Sequence, residues 1–172
     1  MPQQTYQMYD YHVWANDRLF TRLEQLPNEA FLSEVTSVFP SVAHTLGHMY
    51  LYEKLFRSVL AEIPNEDIFP KLPGWKEEAK VATVDEMRRL FAGLTESYRE
   101  LLSRTPEPDK AMTISHPIYG RLDTRFSDIL MHVVNHGTYH RGNATAILRQ
   151  QGYAGVPTDY MFYLAERQGD PR

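Results

Sequence analysis

The sequence predicts an all-α protein, a four-helix bundle with long crossing loops and a short extra C-terminal helix. Two observations predict it, and one short segment stands apart. Apolar residues recur at helical spacing over roughly 5–26, 40–62, 83–104 and 124–151, with a shorter segment near 158–167. Proline, glycine and capping residues fall between these stretches. One short segment, KAMTISHPIYGRLDT at 109–123, mixes β-formers with a turn signal at Gly120 and reads as extended or a small hairpin.

The first helix stops at Pro27 and Asn28. It carries Trp14 and Asn16, the latter a candidate to lie near a site, and Tyr6, Tyr9 and Tyr11, whose spacing cannot place all of them in one core stripe. These tyrosines therefore read as exposed aromatics that support a homodimer. The second helix begins near Ser41, and Pro64, Pro70, Pro73 and Gly74 break the 64–82 connection that follows it. In the third, Asp85 to Arg104, residues Met87, Leu90, Phe91, Leu94 and Tyr98 share one side, and Pro106 and Pro108 follow. Tyr50, Tyr52 and Trp75 read as packing residues.

The chain of 172 residues, 42% hydrophobic, fits a single domain over 1–172 that can bury a full core. A formal net charge of −4 and the lack of any Lys/Arg cluster give no footprint for nucleic acid or a membrane surface. The start MPQQTYQMYDYHVWAN lacks the pattern of a signal peptide, and no stretch is apolar enough to span a bilayer, so a cytoplasmic location is expected. With no cysteine, the chain has no thiolate ligand or cysteine nucleophile, and a borderline metal would have to be held by histidine and carboxylate.

The histidines carry the chemistry. His132, His136 and His140 stand four residues apart in HVVNHGTYHRGN. Four-apart imidazoles lie about 6 Å apart along a helix, so two can close on one ion. All three cannot, because the outer two would be about 12 Å apart while a metal–nitrogen bond is about 2 Å. On a helical wheel centred near Phe126 and Ala144, His140 falls about 40° from the apolar centre, His136 about 80° and His132 about 120°. His136 and His140 are the inward pair. Tyr139 and Arg141 should point off the core stripe, toward solvent or a dimer contact. The second helix carries His44 and His48, of which His48 lies nearer the apolar arc and is the better third ligand. Gly47 permits close helix approach and Glu53 sits at the arc's edge. The alternative is three core histidines with separate hydrogen bonds, each costing roughly 1–3 kcal/mol if missed, whereas one cation satisfies them all. Protons would compete for such a site near pH 6.5.

The segments YHVWANDRLF, HMYLYEKLF and SDILMHVVNHGTYHRGN, taken in order along nearly the whole chain, resemble the DinB/YfiT-like superfamily of metal-dependent four-helix bundles. The terminal H-x-x-x-H-R-G element is the most specific part, and the chain departs from the family pattern at Asn143, where glutamine is usual. The resemblance implies one divalent metal, zinc or nickel, on residues matching His48, His136 and His140. It further implies similarity to transferases and isomerases that use bacillithiol, mycothiol or glutathione. Three nitrogen ligands with an open position can acidify a thiol or water or polarise an oxygen. Gly137 stands where an H-E-x-x-H motif has its general-base glutamate, which disfavours hydrolysis of that type. The expected function is metal-dependent transfer of a small thiol to a small electrophile. The alternatives are a non-catalytic, stress-associated metal-binding protein and a hydrolase using metal-bound water.

Overall fold

The computed structural model describes residues 2–105, 107–116 and 120–169. Four long helices form its frame: α1 (Pro2–Glu24), α3 (Val42–Leu60), α6 (Val84–Ser103) and α7 (Phe126–Gln150). Between α1 and α3 lies the short α2 (Asn28–Leu32), and a final helix, α8 (Tyr160–Arg167), follows α7. The architecture is all-α apart from one hairpin. Local chemistry sets the starts of the long helices. The Ser41 side chain accepts from the His44 backbone N–H at the head of α3, and Thr83 and Glu86 form a reciprocal capping box at the head of α6.

The long connection at 64–82 is not an open loop. It winds through α4 (Asn65–Ile68), a 3₁₀ turn (Phe69–Lys71) and α5 (Leu72–Glu78). Pro70 and Pro73 sit in first-turn positions, where a missing N–H costs nothing, so they start short helices instead of ending long ones. Residues 109–123 are the expected hairpin: β1 (Ala111–His116) pairs antiparallel with β2 (Gly120–Arg125), Ala111 opposite Arg125. The tip at 117–119, and Pro106 after the third long helix, lie outside the described residues.

Around the bundle, α7 packs against α1 and α3, and α6 against the same two helices, so α1 and α3 stand on one diagonal. The apolar core runs through Leu19, Phe20, Leu46, Met49, Met87, Phe91, Leu130 and Ile147. The tyrosines of α1 are not surface residues. Tyr9 stacks on Tyr98 at 4.7 Å inside the core, while Tyr11 packs under α8 with Trp14 and Tyr163 and donates to the Thr158 carbonyl at 2.8 Å. Tyr6 is half-buried and donates to the Thr105 carbonyl. A single-stripe wheel misses this because α1 is covered on two faces, by the bundle and by α8. These tyrosines therefore give no ground for a dimer. No helix among the described residues is long and apolar enough to cross a membrane.

Candidate metal centre

Because α3 and α7 are close neighbours, the apolar arcs of both turn their histidines to a common point. His48 comes from α3, and His136 and His140 come from successive turns of α7. The His136 Nε2 lies 3.3 Å from the His48 Nε2 and 3.0 Å from the His140 Nε2, and one ligand atom from each ring falls within 4.8 Å of the others. Two nitrogens bound to one tetrahedral ion at about 2.0–2.1 Å would stand roughly 3.3 Å apart, so the observed spacing suits a single small divalent cation. The donor chemistry fits as well. Burial, reinforced by the neighbouring His140 and His48 rings, pushes His136 down to about 3. Burial followed by the His48 ring pushes His140 down to about 4, and burial also lowers His48. All three rings are therefore neutral at pH 7, with lone pairs to donate. The proton competition expected near pH 6.5 moves to lower pH for the same reason. This triad could hold a metal ion.

Aromatic rings collar the cluster. Phe39 packs on His48 and His140 at 4.8 and 5.3 Å, Tyr52 on His48 and His136 at 4.5 and 5.5 Å, and Tyr139 on His140 at 5.0 Å. Tyr139 and Tyr52 are 60% and 39% exposed, so the collar is open to solvent on their side. The Asn143 side-chain amide lies 3.4 Å from His140 Nδ1. The atom that faces the ring is the amide nitrogen Nδ2, beside the imidazole nitrogen that does not face His136.

A second polar group lies deeper, where α1, α3 and α7 meet. His12 is 1% exposed, Glu53 5% and Arg141 2%. His12 Nε2 is 3.1 Å from Glu53 Oε2, and Arg141 Nη1 is 3.3 Å from His12 Nδ1 and 3.0 Å from Asn16 Oδ1. His12 Nε2 is also 3.0 Å from Asn16 Nδ2, so one imidazole links the carboxylate, the amide and the guanidinium. The buried cation and anion thus balance through one imidazole. Burial lowers the proton affinity of Arg141, an effect that Tyr11 and Glu53 offset only in part, and the guanidinium stays charged. Arg141 Nη2 also donates to Thr138 at 2.9 Å, and the Glu53 carbonyl accepts from Tyr98 at 2.8 Å.

Gly137 makes this arrangement sterically feasible. A Cβ at that position would stand 2.3 Å from His12 Cε1 and 2.5 Å from His12 Nδ1. The glycine between the two α7 histidines is therefore the seat of the α1 histidine.

The model of the DinB family matches residues 1–170. This chain belongs to the DinB family. It is also 43% identical over 159 residues to Protein DinB of Bacillus subtilis (strain 168), covering 92% of each chain. A metal-competent histidine cluster inside a helical bundle accords with that membership.

For this DinB-family chain the structure brings together His48, His136 and His140 and leaves out the other two histidines weighed beside them. His132 is exposed, with its ring on Phe56 at 4.5 Å. His44 is exposed at the head of α3, its Nδ1 2.8 Å from the Ser41 hydroxyl. Asn16 is buried but belongs to the His12 and Arg141 group. Gly47 serves a close approach, though to Ala79 after α5, whose carbonyl would lie 3.2 Å from an added Cβ. Arg141 corrects the expectation that it points off the core. α7 is buried against both α1 and α3, so its covered arc is wider than one stripe, and the guanidinium reaches into the second contact. His12 went unnoticed in the sequence. Its signal was the four-residue spacing to Asn16 within the apolar run YHVWAN.

Proposed function

We propose that this protein is a metal-dependent transferase. It holds one divalent ion, zinc or nickel, on His48, His136 and His140, and activates a low-molecular-weight thiol for attack on a small electrophile. The observation that carries the reading is the convergence of three neutral Nε2 atoms beneath an aromatic collar that opens toward solvent. When bound, a divalent cation favours the thiolate of a small thiol whose ordinary pKa is near 8.5. The chain's own residues do the rest. His48, His136 and His140 supply the lone pairs, and Asn143 packs beside His140 on the ring's other nitrogen. Phe39 and Tyr52 pack against the rings and narrow the approach to them. In the overall reaction a carbon–sulfur bond forms, the leaving group departs with its electron pair, and the thiol proton passes to solvent.

The buried Glu53–His12–Arg141 link favours catalysis over a purely structural ion, because it ties α1, α3 and α7 together through the protein's own groups. The test compares metal-loaded protein, metal-free protein and His140→Ala, with bacillithiol, glutathione and simpler thiols against an aryl halide. Thiol transfer only in the loaded wild type is expected. No metal-dependent rate with any thiol would remove the proposed reaction and leave a metal-binding protein.

A further inference from the structure

Resting on the thiol-transfer reading, the structure points to where the electrophile binds and to its chemical class. The face of α3 that carries His48 continues down the helix through Tyr52, Leu55, Phe56 and Val59, at helical spacing. Opposite it stand the α4–α5 segment, with Phe69 and Leu72, and strand β1, with Met112 and Ile114. Between them lies a cleft of about 500 Å³. It adjoins the metal-competent cluster: Tyr52, one of its lining residues, packs 4.5 Å from the His48 ring and 5.5 Å from the His136 ring.

Three polar side chains of this cleft, Glu62, Asn65 and Thr113, are already engaged. Glu62 is the one charged residue among its described lining residues, and the Lys110 ammonium pairs with it. Asn65 donates to the Ser115 carbonyl at 3.0 Å, and Thr113 donates to Asp123 at 2.7 Å. What remains for a ligand is mostly apolar surface, including Tyr52 at 39% and Phe69 at 41% exposure. Among its described lining residues, none offers a free cation to a phosphate or carboxylate.

We infer that this cleft binds the neutral, apolar, aryl-sized body of the electrophile, and that Tyr52 marks the end at which its reacting carbon meets the thiol. A charged group there would lose its water without gaining a partner, which costs far more than burying an apolar one gains. Apolar contact along the cleft would hold the electrophile beside the sulfur and thereby contribute rate by orientation.

The test separates binding from reaction. Metal-loaded protein with ¹³C-methyl methionine is titrated with 2-naphthol, neutral at pH 7, and with 2-naphthalenesulfonate, its anionic counterpart. The readout is the methyl signal of Met112, which lines the cleft. A saturable shift with naphthol is expected, with binding weaker by about tenfold or more for the sulfonate. Phe69→Glu should weaken naphthol binding by about tenfold, and Phe69→Ala by less. Both alter an exposed side chain, and circular dichroism identical to wild type confirms their fold. In turnover, kcat/KM should rise from a methyl halide to a naphthylmethyl halide, and that ratio should collapse in Phe69→Glu. No Met112 shift, or equal binding of both probes, overturns the inference. So does metal-dependent transfer that is indifferent to the apolar body, although the thiol-transfer reading then stands. Naphthol binding at Met112 with no thiol transfer upholds the cleft and removes the reaction.

Discussion

Gly137→Ala is the sharpest perturbation of this architecture, because two effects of opposite sign meet at one residue. Gly137 lies inside α7, where replacing glycine by alanine favours the helix by about 1 kcal/mol. The added methyl, however, would stand 2.3 Å from His12 Cε1, 2.5 Å from its Nδ1 and 2.9 Å from Arg141 Nη1. His12 is 1% exposed and held by Glu53, so it has no space to retreat into. Either α1 and α7 separate, an overpacking cost of about 1–3 kcal/mol, or His12 leaves Glu53 without its buried partner, which costs about as much. After the propensity gain, either route leaves a net loss of stability of roughly 0–2 kcal/mol. Equilibrium urea denaturation of the metal-free protein measures it. Gly142→Ala is the matched control: it lies in the same helix with nothing within 4 Å of its added Cβ, and it should gain about 1 kcal/mol. A Gly137→Ala protein as stable as Gly142→Ala would refute the packing of His12 against this glycine.

Two further outcomes follow from the buried groups. His136 and His140 have proton affinities depressed to about 3 and about 4, whereas in the unfolded chain both titrate near 6.5. Below pH 6.5 the unfolded state takes up protons that the folded state refuses, so the stability of the metal-free protein should fall as pH drops from about 6.5 toward 4, as urea midpoints across that range would show. His136→Ala should flatten this dependence. Arg141→Met should cost about 1–3 kcal/mol, because it removes the guanidinium that faces the buried Glu53 carboxylate across His12, and adding Glu53→Gln should recover part of that loss; purely additive losses in denaturation would show that the two charges do not depend on each other.

The long helices and the histidine triad were legible in the sequence for one reason: both are periodic, and a period of 3.6 residues states which side chains share a face. His136 and His140 are four apart on one face, and His48 lies near the arc that meets them. What escaped was whatever depends on a second neighbour. Tyr11 is covered by α8, and Arg141 turns into the contact between α7 and α1, so neither is visible to a wheel with one buried stripe. The helices at 65–78 were hidden because proline reads as a break unless the first turn is known to begin there. His12 was hidden because its partners, Glu53 and Arg141, are far away along the chain, and only the diagonal placement of α1 and α3 brings the first of them close.

The central claim, that His48, His136 and His140 together hold one divalent ion, is tested most directly by elemental analysis of purified protein beside its single-histidine variants. The wild type is expected to carry one zinc or nickel ion per chain. His48→Ala, His136→Ala and His140→Ala should each lose most of it, while His132→Ala and His44→Ala, whose rings lie outside the cluster, should bind almost as the wild type does. Full metal retention by His136→Ala, the ring whose Nε2 lies between the other two, would contradict the account.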